Sequence, residues 1–196
     1  MNVGAVDFVT KPDVQAPKSV EAFIKDLISK IKIAAHAKVT AVKMTENNKL
    51  TAANKVDSSK IVAIGASTGG TEAICSLLKQ LPENMPGILI VQHIPPIFSR
   101  MFAERLNNLL KLDVKEAQTG DYLEPGKVLI APGDQHMRIK KAGERYRVEI
   151  FLGEKVNGHC PSVDILFESV AKEAGSNAVG VLLTGMGYDG AKGLLT

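Results

Sequence analysis

The sequence has few of the residues that mark several common protein classes. It contains no tryptophan and only 5% aromatic residues, which argues against a surface that stacks nucleic acid bases. Its two cysteines, Cys75 and Cys160, are too few for a disulfide scaffold and favour a reducing compartment. No apolar run approaches the roughly 18 residues of a membrane helix, no signal-peptide pattern opens the chain, and the net charge of +3 is mild. We therefore expect a cytoplasmic protein with no nucleic acid partner and no membrane insertion.

From about residue 60 onward, short apolar runs alternate with segments of helical spacing. Unbroken runs of Val, Ile and Leu are typical of strands buried on both faces of a sheet. Two later segments alternate polar and apolar residues around a turn at 142–144, which predicts a hairpin. The sequence therefore predicts an α/β fold, in which a doubly wound, mostly parallel, Rossmann-like sheet lies between two helical layers and carries one antiparallel hairpin. The predicted strands are 61–64, 87–91, 127–131 and 178–183, the hairpin strands are 137–140 and 146–150, and the helices are 71–80, 98–110 and a third that Ser162 caps and that ends near 174.

The first third of the chain differs from the rest in its composition and in the spacing of its apolar residues. Residues 20–31 carry apolar side chains at the spacing of one helix face, which predicts an amphipathic helix that covers a sheet. Residues 38–59 are polar, small and weakly periodic, as in an interdomain linker. The sequence thus predicts an N-terminal segment at 1–37, a linker at 38–59 and an α/β domain at 60–196.

Three of the predicted strand ends carry side chains suited to catalysis. Ser67 lies in the segment 65–69, whose pattern G-x-S-x-G between a strand and a helix is typical of a nucleophilic serine on a sharp turn. His93 follows the second strand, and Asp189 follows the last. Because reactive groups in open parallel sheets gather beyond the carboxyl ends of the strands, we expect these side chains to meet in one crevice. There they would supply a nucleophile, a base and a carboxylate that orients the base.

Other interpretations of the same residues stay open at this point. The glycine-rich turn at 65–70 also suits a phosphate or dinucleotide, and Tyr188-x-x-x-Lys192 spells the catalytic pair of short-chain dehydrogenases. An NAD(P)-binding oxidoreductase is therefore one alternative, and a binding module without catalysis is another. Against a dinucleotide, Thr71 stands where a further glycine is wanted, and the second strand ends in Gln92-His93 rather than in an acidic residue.

No metal site is predicted from the sequence. His136, His159 and Cys160 lie near one another along the chain, but they lack metal-ligand spacing with any partner run. The buried character expected of a mid-helix cysteine favours a packing role for Cys75.

Several motifs together resemble one family. The segments 64–73 (IGASTGGTEA), 92–96 (QHIPP) and 183–190 (LTGMGYDG) are similar to those of the chemotaxis protein-glutamate methylesterases, the CheB family. The resemblance runs in order from about residue 60 to residue 196. Shorter matching segments are 122–126, 130–133 and 161–164.

The resemblance implies an activity and a set of roles. It implies hydrolysis of glutamate methyl esters on methyl-accepting chemotaxis receptors, and deamidation of certain receptor glutamines, without a cofactor. Ser67 would be the nucleophile, His93 the base and then the acid, and Asp189 the orienting carboxylate. The backbone N–H of Met186 would stabilise the oxyanion, and Thr68 would line the substrate pocket.

The N-terminal residues resemble part of another domain. The segment 4–12 (GAVDFVTKP) is similar to the last strand of a response-regulator receiver domain, in which Lys11 matches the lysine that contacts the phosphoryl group. Residues 1–37 would then be the C-terminal remnant of a receiver, through which the intact protein meets a chemotaxis histidine kinase. The resemblance also implies that the catalytic domain at 60–196 is truncated at its C-terminus.

Overall fold

The structure, a computed structural model, describes residues 17–36 and 59–196. The chain divides into two compact units, Met1–Asn48 and Lys49–Thr196. The receiver-like strand and Lys11 lie outside the described residues, and so does nearly all of the predicted linker. The domain boundaries drawn from the sequence therefore stay predictions.

One helix is described in the first unit. Helix α1 spans Pro17–His36, which confirms the helix predicted at 20–31. Three apolar side chains on its stripe are exposed, since Ile24 and Ile28 are each 47% exposed and Ile31 is 57% exposed.

A five-stranded sheet forms the centre of the second unit. Its strand order is β3-β5-β2-β1-β8, and every neighbouring pair runs parallel. The strands β1 and β2 lie inside this sheet, and β2 is buried at every position, as expected for an unbroken apolar run. The strands are β1 (Ile61–Ala66), β2 (Gly87–Gln92), β3 (Asp113–Glu116), β5 (Lys127–Ile130) and β8 (Ala178–Leu182).

The helices lie on both faces of this sheet, as a doubly wound fold requires. The chain passes from β1 to β2 and on to the β3 edge, and then it returns to β8 on the other side of β1. With the right-handed connections usual between parallel strands, this reversal places α2 and α3 on one face and α4 on the other. The helices are α2 (Gly70–Leu78), α3 (Pro96–Leu109), α4 (Val163–Ala174), a 3-10 turn (Gly175–Asn177) and α5 (Ala191–Leu194).

A second, antiparallel sheet of three strands covers α4. Its order is β4-β7-β6, with β4 at Tyr122–Leu123, β6 at His136–Ala142 and β7 at Arg145–Phe151. The predicted hairpin is therefore confirmed as β6 and β7. Apolar side chains of β1, β2, α4 and this sheet form one buried cluster, so α4 is held between the two sheets.

The main departures from the predicted elements are two additional strands. β3 is a short edge strand with mixed burial, and β4 has only two residues, so neither has the apolar run that marks a buried strand. The predicted α/β fold with a parallel sheet and an antiparallel hairpin is otherwise confirmed.

Candidate functional site

The carboxyl ends of β1, β2 and β8 meet at one edge of the parallel sheet. Ser67 follows β1 directly, His93 follows β2, and Asp189 lies in the loop between β8 and α5. The strand register brings these ends together, because Ala66 pairs with Gln92 on one side of β1 and Gly65 pairs with Leu182 on the other.

The turn that carries Ser67 is sharp and depends on small residues. Gly69 ends the turn in the left-handed region at φ 75°, which glycine adopts without strain, and α2 begins at the next residue. A β-carbon on Gly65 would collide with Val163 of α4, and one on Gly185 would lie 2.8 Å from Cβ of Ser67. The Ser67 N–H donates to the carbonyl of Thr184 at 2.9 Å, so the loop after β8 fixes the backbone of Ser67.

The three predicted side chains form a continuous hydrogen-bonded chain. Ser67 Oγ lies 3.1 Å from Nδ1 of His93, and Nε2 of His93 lies 2.8 Å from Oδ2 of Asp189. The Asp189 side chain is only 2% exposed and the His93 side chain 11%. Because an ionised carboxylate accepts and cannot donate, Nε2 carries the ring proton and the Nδ1 lone pair faces the serine hydroxyl.

Asp189 has an unusual number of hydrogen-bond donors for one carboxylate. Besides His93, it accepts from the Ser162 hydroxyl at 2.7 Å, the Val163 N–H at 2.7 Å and the Asn157 amide at 3.0 Å. Burial by itself would raise the pKa of Asp189, but the hydrogen bonds from His93, Ser162, Val163 and Asn157 outweigh it and hold that pKa well below its usual range. Asp189 is therefore a stable anion beside the imidazole.

A second buried carboxylate supports the first. Asp164, in the first turn of α4, accepts from the N–H of Gly190 at 3.0 Å and that of Gly193 at 2.7 Å. Its other oxygen accepts from Asn157 at 2.7 Å. Since Gly190 follows Asp189 directly, Asp164 fixes the backbone of the loop that carries Asp189.

The loop after β8 forms one wall of a cavity above Ser67. The cavity is lined by Ser67, His93 and Asp189 together with Leu182 at the end of β8 and residues 183–187 of that loop. Met186 lines it and is 53% exposed as a residue, and the oxyanion role expected for its backbone N–H stays a prediction. Thr68 does not line it: the wall is formed by Thr184, whose hydroxyl donates to the Thr68 carbonyl at 3.1 Å. Thr184 lies at this wall, and the substrate-pocket role expected for Thr68 stays a prediction.

Sequence reasoning missed Gln92 and Asn157 and left His159 without a role. The Gln92 side chain donates to the carbonyls of Ser67 at 2.8 Å and His93 at 3.1 Å, and so ties the ends of β1 and β2 together. The His159 ring stacks on the His93 ring, with centroids 3.7 Å apart and an interplanar angle of 8°. Only the Asn157-Gly158 pair, a common tight-turn dipeptide, could have signalled one of them.

The remaining candidates have structural surroundings. His136 is fully buried, faces the carbonyl of Glu154 through Nε2 at 2.9 Å and accepts from the Ser162 N–H through Nδ1 at 3.2 Å. Burial raises the pKa of the Cys160 thiol, which favours its unreactive form. No group of metal-ligating side chains occurs among residues 17–36 and 59–196, and no helix in those ranges is long and apolar enough to cross a membrane.

The residues that suggested a dehydrogenase lie outside the cavity. Neither Tyr188 nor Lys192 lines it. The Tyr188 side chain is 71% exposed, and the Lys192 ammonium pairs with Glu168 at 3.0 Å. The pair therefore does not form the tyrosine–lysine site that such an enzyme needs.

Comparison with known proteins agrees with the resemblance seen in the motifs. Residues 62–196 match the family model described as CheB methylesterase. The chain is 51% identical over 195 residues to "Protein-glutamate methylesterase/protein-glutamine glutaminase 2" of Syntrophomonas wolfei, covering 100% of this chain and 57% of that protein. It is 50% identical over 196 residues to the protein-glutamate methylesterase/protein-glutamine glutaminase of Escherichia coli K12, covering 100% of this chain and 56% of that protein.

A solved structure agrees as well. The crystal structure of the CheB methylesterase catalytic domain of Thermotoga maritima superposes with a TM-score of 0.66 at 41% sequence identity, covering 68% of this chain and 71% of that one. The chain spans less than two thirds of the length of the curated relatives described above. The match to the family model nevertheless covers more than half of the chain, and we conclude that the chain belongs to the CheB methylesterase family.

Proposed function

We propose that this chain is a serine hydrolase that cleaves methyl esters of protein glutamate side chains, with Ser67 as nucleophile, His93 as general base and acid, and Asp189 as orienting carboxylate. The observation that carries the proposal is the unbroken chain of contacts from Ser67 Oγ to His93 Nδ1 at 3.1 Å and from His93 Nε2 to Asp189 at 2.8 Å. It gives the serine hydroxyl a proton acceptor whose other side faces an anion.

In the first half of the reaction, Ser67 Oγ attacks the ester carbonyl carbon while its proton passes to Nδ1 of His93. The carbonyl π electrons move onto oxygen, and the resulting oxyanion needs donors in the loop that carries Met186. When the tetrahedral intermediate collapses, the C–OCH₃ bond breaks and Nδ1–H returns its proton to the leaving oxygen, which departs as methanol. Asp189 stays ionised throughout and stabilises the imidazolium.

In the second half, a water molecule repeats the sequence on the acyl-enzyme. Nδ1 takes a proton from the water, the hydroxyl adds to the acyl carbon, and collapse releases a glutamate carboxyl group while Ser67 recovers its proton. A glutamine side chain would follow the same path, with ammonia leaving in place of methanol. The path needs no metal or cofactor, because the nucleophile, base and donors all come from the chain.

The substrate, partners and compartment are further parts of the proposal. The names of the relatives support glutamate esters and glutamines of proteins as substrates, and we propose methyl-accepting chemotaxis receptors as the proteins that carry them. We propose residues 1–37 as a receiver remnant, 38–59 as a linker and 60–196 as a catalytic domain, with a chemotaxis histidine kinase as partner of the intact protein's receiver. The two free cysteines support a cytoplasmic location.

The proposal is tested by labelling with a serine-directed fluorophosphonate and by methanol release from a glutamate methyl ester peptide. We expect one adduct, located on Ser67 by mass spectrometry, and a loss of at least about 10³-fold in hydrolysis for Ser67→Ala. Ser76→Ala, at a half-buried position of α2, is the matched control and should keep wild-type activity. An unlabelled Ser67 with unchanged turnover in Ser67→Ala would contradict the proposal and favour a binding module.

A further inference from the structure

A tight turn next to the candidate site contacts both Asp189 and His93. Val156 and His159 exchange backbone hydrogen bonds at 3.0 and 2.9 Å across the turn. The two central residues, Asn157 and Gly158, both have positive φ, at 53° and 82°. This geometry is that of a type I′ turn, in which Asn-Gly is the favoured pair. The turn therefore fixes the directions of the side chains at 157 and 159.

The first arm of the turn is the Asn157 amide. Its nitrogen Nδ2 donates to Oδ2 of Asp164 at 2.7 Å and to Oδ1 of Asp189 at 3.0 Å. A primary amide nitrogen has two protons, so each carboxylate receives one of them. Both carboxylates are buried, at 4% and 8% residue exposure, and would repel each other without a shared donor.

The second arm is the His159 ring. It lies parallel to the His93 ring at 3.7 Å and thus restricts rotation of the catalytic imidazole out of its plane. Burial lowers the pKa of His159, the charge of His93 and Lys155 lowers it further, and Asp189 acts in the opposite direction. His159 is therefore neutral when His93 takes up a proton, and a neutral aromatic face can lie against a cation without charge repulsion.

We propose that the turn Val156–His159 is a positioning element of the candidate site, in which Asn157 holds the Asp189 carboxylate and His159 holds the His93 ring in the plane needed for proton transfer. The inference rests on the proposed hydrolase function. Neither residue lines the cavity above Ser67, so both act through Asp189 and His93 rather than on substrate.

This arrangement predicts a specific kinetic signature. Removing either arm loosens a group that moves a proton but leaves the substrate-binding surface intact, so kcat should fall while KM stays nearly constant. A displacement well below 1 Å at a reacting group should cost about tenfold in kcat. A turn that only stabilises the fold would instead lower the melting temperature and leave kcat unchanged.

The experiment compares four variants of the whole chain. Asn157→Gly deletes the amide and keeps the positive φ that the turn requires, since glycine adopts it freely. His159→Ala deletes the stacked ring, and His159→Phe restores a flat ring without a titrating group. Asp134→Gly is the matched control, because it removes an exposed side chain at the other non-glycine position of positive φ among the described residues, φ 58°.

Methanol release gives kcat and KM, and NMR gives the rate at which the His93 Nε2 proton exchanges with water. We expect Asn157→Gly and His159→Ala to lower kcat about tenfold, to keep KM within about twofold and to speed that exchange. His159→Phe should recover most of the loss caused by His159→Ala, and Asp134→Gly should match the wild type.

Wild-type kcat and exchange rates in both Asn157→Gly and His159→Ala would overturn the inference, whatever their melting temperatures. The two proposals fail in different ways. A wild-type chain that neither labels at Ser67 nor releases methanol contradicts the proposed function, and proton exchange at His93 then still decides whether the turn holds the ring. The effects of Asn157→Gly and His159→Ala are measured separately, so a folding defect in one variant leaves the result of the other decisive.

Discussion

The two ends of the His93 ring have very different surroundings. At Nε2, the partner is a carboxylate that is 2% exposed and accepts from His93, Ser162, Val163 and Asn157. At Nδ1, the partner is the single hydroxyl of Ser67, which faces a cavity. The structure thus fixes the orientation of the His93 ring at its buried end, whereas the Ser67 hydroxyl at the other end faces the cavity.

The Ser67 end is held mainly by backbone contacts and by the space around the residue, with one side-chain hydrogen bond from Gln92 to the Ser67 carbonyl. The loop after β8 accepts the Ser67 N–H through Thr184, and Gly185 leaves the room in which the serine side chain sits. A buried electrostatic network therefore orients His93, whereas close backbone packing mainly places Ser67. The effects of substitutions at the two ends of the His93 ring should therefore differ in size and in kind.

The largest effect on kcat is expected from reversing the hydrogen bond between His93 Nε2 and Asp189. In Asp189→Asn the amide offers protons where the carboxylate accepted them, so His93 takes the wrong tautomer and its Nδ1 lone pair turns into an N–H. We expect a loss of roughly 10⁴-fold in kcat with the fold retained, measured by methanol release and circular dichroism. A variant within about tenfold of wild type would mean that the carboxylate is not what orients the ring.

At the nucleophile end, Gly185→Ala should have the next largest effect. The added β-carbon would lie 2.8 Å from Cβ of Ser67, too close for either backbone-anchored atom to accept without a shift. We expect kcat to fall by about 10²-fold, because the reacting oxygen moves by a sizeable fraction of an ångström.

The matched control for that variant is Gly180→Ala in β8. Its new methyl group would meet only the end of the Leu194 side chain, which can move aside. Equal losses in the two glycine variants would show that the effect comes from the strand and not from the space next to Ser67.

A smaller effect is expected from removing one donor at the buried end. Ser162 caps α4 by accepting from the Ile165 N–H and also donates to Asp189, so Ser162→Ala removes both contacts. We expect a loss of about 1–3 kcal/mol in the free energy of unfolding, measured by urea denaturation. A loss of activity without any loss of stability would contradict the capping part of this account.

The smallest effect concerns the pH dependence of stability. The pKa of His159 is lower in the folded protein than its unfolded value of about 6.5. At a pH between those two pKa values, the unfolded chain therefore binds more protons than the folded chain. Stability linked to His159 is therefore complete above about pH 6.5 and is lost as pH falls below it. His159→Phe should flatten this decline in stability, measured by urea unfolding at a series of pH values below about 6.5. An unchanged slope would contradict a neutral His159.

The sequence predicted the strand ends but not the network behind them. Ser67, His93 and Asp189 could be found because each follows an apolar run, and parallel strands bring such positions to one edge. Asn157, Ser162 and Asp164 contact Asp189 through pairings between loops and α4. The Asn-Gly pair predicts only a turn and Ser162 only a helix cap, not these long-range contacts. The place of Thr184 in the cavity wall has the same cause, since that wall depends on how the loop after β8 folds back.

The central claim is that Asp189 holds the proton on Nε2 of His93 and so leaves Nδ1 free to accept from Ser67. Nitrogen-15 NMR of histidine-labelled protein near pH 7.5 tests this directly, with His93→Gln used to assign the signals among the four histidines. We predict a protonated Nε2 and an unprotonated Nδ1 for His93. In Asp189→Asn, we expect this protonation pattern to be lost. A proton on Nδ1 in the wild type would contradict the account, because the base would then face the serine with no lone pair to receive its proton.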